Sequence, residues 1–429
     1  MKKLASLIVL VLSLSCVALA ADWPQFCGPA RDGKSPETGL IHAFPADGPK
    51  VVWTVRLNEG FGSAAIVDGE LYVIDHEGAN DQIRCFDAAT GQEKWKCEYE
   101  APGKVDFKGS RGVPAVTDKY VIAVGPFGHA ACVDRKTHEK VWLVNVLTDF
   151  GGKMPQWGVA QSPLVYKDSV ILAPQNKQIG LVALDLATGK EKWRSEPLGG
   201  MAYVSPYLTK LDGVEQIIML SDSTVVGVGP DTGKILWKYP AKVEGAKPWK
   251  PDNPIPAPVA LGDGRFFLTE GYGGGSAMIK VTKAGEGWDV AELYKTQACG
   301  AQIQLPLLIE GYLYMGSNSN SRHEGLLCLR PEDGEVMWKT DKSPNFERGG
   351  LIYADGVIYA MEGDTGILRI VQPSPDGYKQ LAQAKLLEGK QIWSPMAISN
   401  GFLFCRDQKQ LKCVDLRANK TESTSDSQK

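Results

Sequence analysis

The sequence predicts an all-β protein, an eight-bladed β-propeller of four-stranded antiparallel blades whose ring is closed by the N-terminal strand. Three observations carry that expectation. A hairpin motif with aspartate, glycine and tryptophan at fixed offsets recurs about once every 40 to 50 residues, the spacing of a unit that cannot bury its own faces alone. Its copies align without a gap on Trp95, Trp142, Trp193, Trp237 and Trp338, with Asp87, Asp134, Asp185, Gly229 or Arg330 eight residues earlier and Gly91, His138, Gly189, Gly233 or Gly334 four earlier. Eight apolar runs begin near Ser63, Val113, Ser162, Ser205, Ala257, Leu305, Gly349 and Ser394, and six have proline next: Pro114, Pro163, Pro206, Pro258, Pro306 and Pro395. Proline at the first position of a strand is where a sheet tolerates it.

Taken in order, residues 1–20 read as a secretory signal. Lys2 and Lys3 precede an apolar run from Leu4 to Leu12, and Ala18-Leu19-Ala20 supplies the small residues a signal peptidase needs. That run is too short to span a bilayer and nothing later is longer, so a periplasmic or secreted protein without a transmembrane segment is expected. Cys16 raises a lipid-anchored alternative, but Ser13-Leu14-Ser15 lacks the usual leucine three residues upstream, which disfavours it. Residues 21–49, rich in Pro, Gly and Asp, follow no period of 2 or 3.6 and form a lead-in segment. Residues 50–417 are the propeller. Residues 418–429 are a polar tail expected to be disordered.

Within each copy the motif reads as strand, tight turn, strand. The aspartate can accept hydrogen bonds from turn amides, and glycine supplies positive φ. His138 suits the glycine position because histidine tolerates left-handed geometry. Upstream lies a second pair of strands, as in Ser63 to Val73 and Gly349 to Ala360, with alternating apolar residues around a turn. The outer strands are weakest in blades five and seven, where Trp288 and the stretch around Tyr378 stand in for the motif tryptophan. Blade eight has no outer strand after Leu416. Lys50 to Val55 looks like an outer strand with no blade before it, so it completes blade eight and leaves no open edge, with Trp53 as the eighth outer-strand aromatic.

Charge excludes one class of partner. Lys and Arg number 47 against 50 Asp and Glu, a net charge of −3, and no basic run is present to grip a phosphate backbone, so nucleic acid is not expected. A monomer is expected.

The segments Phe86 to Trp95 and Ala183 to Trp193 resemble the repeat of the pyrroloquinoline quinone (PQQ)-like propellers, a superfamily of quinoprotein alcohol dehydrogenases and the non-enzymatic outer membrane protein assembly factor BamB. The resemblance covers about Lys50 to Arg417. Asp22-Trp-Pro-Gln-Phe-Cys-Gly-Pro29 is similar to the start of exported proteins with this repeat, where arginine commonly stands at the place of Cys27. The resemblance implies that the motif residues Asp87, Trp95, Asp134, Trp142, Asp185, Trp193, Trp237, Trp338 and Trp53 dock neighbouring blades. It also sets this chain apart from the dehydrogenases: they carry adjacent cysteines beside the quinone, and no Cys-Cys pair exists here. No residue matches their calcium ligands or catalytic aspartate, so PQQ and calcium are cofactors the sequence does not support.

Candidate sites follow by elimination. Cys85, Cys132, Cys328 and Cys413 sit where blade three has Ala183, a place for a small buried group. Two pairs straddle a hairpin turn and are the candidate disulfides, Cys85–Cys97 and Cys405–Cys413. No His or Cys stands at metal-ligand spacing, and Asp75, Glu77, Asn80 and Asp81 read as a solvated loop rather than a calcium site. Gly271 to Gly275 opens no helix and so is no phosphate cradle. No Gly-x-Ser-x-Gly elbow and no catalytic set emerges. What remains is one channel mouth, ringed by residues just before the inner strands and by the loops that precede them: Phe61, Arg111, Trp157, Gln161, Tyr203, Trp249, Gln304, Arg348 and Trp393. Aromatics interleaved with arginine and glutamine are what recognition surfaces concentrate. The reading is a non-catalytic exported scaffold in the cell envelope that binds a protein or peptide on this face, by strand addition as one mode, in the manner of outer-membrane protein assembly. Its alternatives are a PQQ-dependent oxidoreductase and a small-ligand or glycan binder.

Overall fold

A computed structural model describes residues 21–240, 253–317 and 324–418. The proposed signal sequence with Cys16, the loop residue Trp249 and the tail from Asn419 lie outside the described residues. The others form eight antiparallel sheets of four strands each, and no helix occurs among them. Seven blades use four strands consecutive in sequence, as in blade one with Ala65–Val67, Glu70–Glu77, Asn80–Asp87 and Glu93–Glu100. Blade eight joins Val51–Arg56 to Gln410–Asp415, followed inward by Phe402–Arg406 and Ala397–Ser399. The prolines precede the inner strands by one or two residues: Pro114 is followed by strand Ala115–Val116 and Pro395 by Ala397–Ser399.

The core lies between blades. Along Tyr120–Val124 of blade two every residue is buried, because alternate side chains meet opposite neighbours. Val121 and Ala123 pack with Tyr72, Ile74 and Cys85 of blade one, while Ile122 and Val124 pack with Val170, Leu172 and Leu184 of blade three. A strand sandwiched on both faces therefore reads as a continuous apolar run. Outer strands are covered on one side only, and Glu93–Glu100 alternates exposed Lys94 and Lys96 with buried Trp95.

One register repeats around the ring. Trp95 pairs with Cys85, Trp142 with Cys132, Trp193 with Ala183, Trp237 with Gly227, Trp338 with Cys328 and Trp53 with Cys413. All but one of these indoles lean on the turn of the next blade; Trp237 packs on Phe266 of blade five and donates to Gln216 of its own blade. A Cβ added to Gly91, Gly189 or Gly233 would lie within 3.0 Å of the ring of Trp53, Trp142 or Trp193, and all three glycines have positive φ. The indole N–H groups of Trp53, Trp142, Trp193 and Trp338 donate to the carbonyls of Ala88, Leu186, Pro230 and Ser374 at 2.8–3.1 Å. His138, at φ +64, stacks on Trp95 with centroids 4.8 Å apart. The turns are tied by aspartate where it is present: Asp87 Oδ1 accepts from the amides of Ala89 and Thr90 and from the Thr90 hydroxyl.

Blade five departs from the sequence expectation. Its outer hairpin is longer, Gly275–Ala284 with Gly287–Thr296, so Trp288 pairs with Lys283 near the turn. The docking position is held by Tyr294, whose ring covers Gly334 and whose hydroxyl donates to the Pro331 carbonyl at 3.0 Å.

The disulfide expectation is also corrected: all the described cysteines are free thiols. Cys97 pairs with Ile83, one diagonal step from Cys85, and diagonal side chains on one face lie about 7–8 Å apart, too far for a disulfide. Cys405 pairs with Lys412 and Cys413 with Phe404, so successive pairs place the two thiols on opposite faces of the hairpin.

The lead-in crosses the channel at the far mouth, among the turns that follow the inner strands. Trp23 exchanges two 2.8 Å backbone bonds with Ile66 of blade one, and Val116 of blade two donates to Pro24. Ser35 and Gly33 bond Tyr353 of blade seven, and Glu37 accepts from the amides of Asn400 and Gly401 in blade eight. Trp23 is 1% exposed. The segment is an ordered plug.

Candidate functional site

At the opposite mouth the residues before the inner strands surround a cavity of about 220 Å³. On one side Phe61 stacks on Trp393 at 5.4 Å and 21°, and Phe107 leans on both rings at 6.3 and 5.6 Å. On the other, Trp157 packs against Tyr203 at 5.3 Å and against Tyr272 at 6.0 Å, nearly parallel to the latter. Phe26 of the lead-in forms part of the lining. The inner loops are pinned across blades: Gln304 Nε2 donates to the carbonyls of Arg348 and Trp393 at 3.0 and 2.8 Å, linking blades six, seven and eight.

Two guanidinium groups reach this wall in different electrostatic states. Arg348 lies 4.9 Å from the Trp393 ring centroid and is ion-paired with Glu347, which also accepts from Trp393 Nε1 at 2.6 Å. Its charge is therefore matched. Arg111 lies over Phe61 at 5.6 Å and donates to the backbone carbonyls of Asp106, Phe107 and Gly109, all neutral acceptors. Burial, partly offset by Tyr203, pulls its pKa down to about 10. A third guanidinium, that of Arg31, is 6% exposed and bonded to Gln25 and to the carbonyls of Pro163 and Pro206. It also sits near 10, chiefly through burial. Ser205, the neighbour of Pro206, belongs to the cavity wall, so Arg31 lies just beneath it.

Seven of the nine residues expected at this mouth line the cavity: Phe61, Arg111, Trp157, Tyr203, Gln304, Arg348 and Trp393. Gln161 does not. It is 2% exposed, and its amide closes a two-way clamp with the backbone of Ala173. Trp249 lies outside the described residues. Sequence reasoning missed Phe26, Phe107, Tyr272, Ile255 and Ile303. Phe107 and Tyr272 are 43% and 39% exposed and have φ +57 and +56, a conformation uncommon for aromatic residues. The glycines around Tyr272 and the Lys-Gly pair after Phe107 were the available signal, since they mark loops that turn an aromatic outward.

The acidic stretch of blade one is not a solvated loop. Asp75 and Asp81 are fully buried, because the hairpin Glu70–Asp87 runs on between its neighbours: Asp81 lies against Gly125 of blade two, and Asp75, on the opposite face, accepts from Asn58 beside blade eight. Asp75 pairs with Arg84 and Asp81 accepts from His76 Nδ1 at 2.7 Å. Among the described residues no group of three His, Cys, Asp or Glu is placed to hold a metal ion.

Comparison with known proteins gives four findings. A profile of the family described as "Outer membrane protein assembly factor BamB" matches residues 35–106 and 79–340. The chain is 29% identical over 310 residues to the dehydrogenase subunit of the quinone-dependent alcohol dehydrogenase of Komagataeibacter europaeus, a match spanning 69% of this chain but 35% of that one. It is 26% identical over 222 residues to the assembly factor BamB of Burkholderia pseudomallei (strain K96243), covering 50% of this chain and 52% of that one. The chain thus spans about a third of the first relative's length and about half of the second's. In fold it resembles the crystal structure of BamB from Moraxella catarrhalis, with a TM-score of 0.59 and 14% identity over 86% of this chain and 98% of that one.

Proposed function

The chain belongs to the family described as outer membrane protein assembly factor BamB, within the PQQ-like repeat propellers, and from that premise we propose a non-catalytic scaffold of the cell envelope that holds a protein or peptide partner in the aromatic cavity. The observation that carries the reading is the chemistry of the cavity wall. Trp157, Trp393, Tyr203, Tyr272, Arg111 and Arg348 are the residue types in which binding hot spots are enriched, and among the described lining residues there is no carboxylate, histidine or thiol to act as base, nucleophile or ligand.

The rival reading, a quinone-dependent oxidoreductase, draws on the likeness to the dehydrogenase subunit. Stacked aromatics and guanidinium groups suit a flat anionic quinone. Calcium is a different matter, since it takes six to eight oxygen ligands with carboxylates among them. Glu347, the acid beside Trp393, is engaged by Trp393 and Arg348, and the described residues of the wall offer no other. The donor set therefore does not fit a calcium-bound quinone, and no reaction step is derived through one.

The test is site-specific photo-crosslinking in living cells from positions 107 and 272, with Trp393→Ala and Arg348→Ala as controls. A discrete envelope protein captured from both positions and lost in both controls is expected. Dye-linked alcohol oxidation after incubation of the purified protein with PQQ and calcium would overturn the scaffold reading.

A further inference from the structure

The cavity differs from an open binding groove in three ways that together restrict what enters it. It is blind. Phe26 belongs to its wall, and the plug from Trp23 to Glu37 crosses the channel behind it, so a chain can enter from the loop face but cannot thread through. It is small, about 220 Å³, below the roughly 300–1,000 Å³ of ordinary small-ligand sites. And it is electrostatically unfinished. Arg348 is neutralised by Glu347, whereas the acceptors of Arg111 are all neutral carbonyls. Arg31, behind the wall, is likewise bonded only to a neutral amide and carbonyls. A buried cation without an opposite charge costs several kcal/mol, a cost that a carboxylate arriving from outside would offset.

We propose that the cavity receives the C-terminal residue of a polypeptide, with an aromatic side chain lodged among Phe61, Trp393, Trp157 and Tyr272 and the free carboxylate paired to Arg111. This rests on the scaffold reading and specifies its ligand. A chain end enters a blind pocket without needing a second exit, and it brings a charge that an internal residue's backbone does not have. Its carboxylate supplies the single negative charge that the Arg111 side lacks, and a planar side chain suits walls built of rings at 5.3 to 6.0 Å from one another. Phe107 and Tyr272, turned outward at the rim, would cover the residues just upstream.

The experiment uses decapeptides ending in Phe or Trp as free acids, the same peptides amidated at the C-terminus, and free acids ending in Ala, titrated into the purified full chain by calorimetry and tryptophan fluorescence. The free aromatic acids bind, and amidation weakens them by about ten- to a hundredfold, the loss of one charge-assisted hydrogen-bonded contact. Alanine at the end weakens binding comparably. Arg111→Gln brings acid and amide to the same affinity, while Arg111→Lys keeps part of the difference. If Arg111→Gln fails to fold, the acid-against-amide comparison on the unaltered protein decides alone. Equal binding of acid and amide, lost in Trp393→Ala, would overturn this inference and leave the scaffold reading standing, because internal segments would then be the ligand. Binding of 3-phenylpropionate as tight as that of the peptides would overturn it in favour of a small aromatic acid. No binding by any peptide to the folded protein would sink both.

Discussion

Removing the Trp53 indole should open the ring at one seam. Trp53 lies on the N-terminal strand Val51–Arg56, the only strand of blade eight that comes from the start of the chain. Its ring covers Gly91 of blade one, and its N–H donates to the Ala88 carbonyl at 3.0 Å. Truncating a fully buried tryptophan costs about 3–5 kcal/mol; Trp53 is half-buried, which brings its packing loss to about 2 kcal/mol. The orphaned Ala88 carbonyl adds about 1 kcal/mol. Trp53→Ala should therefore weaken the seam by about 3 kcal/mol, or roughly 150-fold in the local opening equilibrium. Hydrogen exchange read by mass spectrometry tests this, with acceleration confined to Val51–Arg56 and its partner Gln410–Asp415. Gly91→Ala strikes the same contact from the other side. Its Cβ would lie 2.7 Å from the Trp53 ring, on a backbone at φ +74. In the Trp53→Ala background the collision is gone and only the left-handed cost of about 1 kcal/mol remains, so the two changes should not add. Acceleration below about tenfold, or spread evenly over all blades, would refute the view that this indole holds the ring shut.

Four further outcomes follow. His138→Gly trades relief of a left-handed histidine against a lost stack on Trp95, two terms of about 1 kcal/mol each, so the denaturation midpoint should scarcely move; a drop of more than about 2 kcal/mol would show the stack to be dominant. Burial pushes the Cys85 and Cys132 thiols up to about 12, which leaves about a thousandfold less thiolate at pH 8 than an ordinary cysteine has. The native protein should then resist alkylation that the denatured chain accepts, and its mobility should be the same with and without reductant. His129 is held below its usual pKa chiefly by burial, against the pull of Asp81 and Asp149. Because the unfolded chain takes up the proton first, this residue's contribution is complete above about pH 6.5 and is lost as pH falls toward the folded-state value. His129→Gln should flatten the stability profile across that window, and an unchanged profile would remove the assignment. Arg31→Met strands the carbonyls of Pro163 and Pro206 and should loosen the plug by about 2 kcal/mol, seen as faster proteolysis between residues 21 and 49 with the blades intact.

The ring was legible in the sequence because its residues repeat. Asp, Gly and Trp at fixed offsets, with few substitutes, encode turn, positive φ and docking surface in five blades, and Lys50 to Val55 could be assigned to blade eight because every other blade already had an outer strand. Counting from the turn failed in blade five, where the longer hairpin carries the turn outward while the register at the bulge keeps Tyr294 in place. Counting also failed for the cysteines. Cys97 and Cys405 flank the correct turns, but the register sets Cys97 one diagonal step from Cys85 on the same face, and pairing parity puts Cys405 on the face opposite Cys413. For the cavity, position before an inner strand found six residues and wrongly added Gln161, whose side chain turns back to its own blade, while the loop before blade three supplied a seventh, Trp157. Phe26 could not be found that way, since its place depends on the lead-in crossing the whole ring.

The closing strand also has a temporal side. Val51–Arg56 pairs with Gln410–Asp415, so the earliest strand of the ring must stay without its partner until nearly the last has emerged. Contacts so distant in sequence form slowly, and meanwhile both edges can capture other chains. The same arrangement works as a check on completeness. A chain cut short before Gln410 does not lose a tidy fraction of a blade; it loses the only partner of its first strand and cannot latch. Closure thus separates finished molecules from fragments, and a protease that attacks open sheet edges would clear the fragments first.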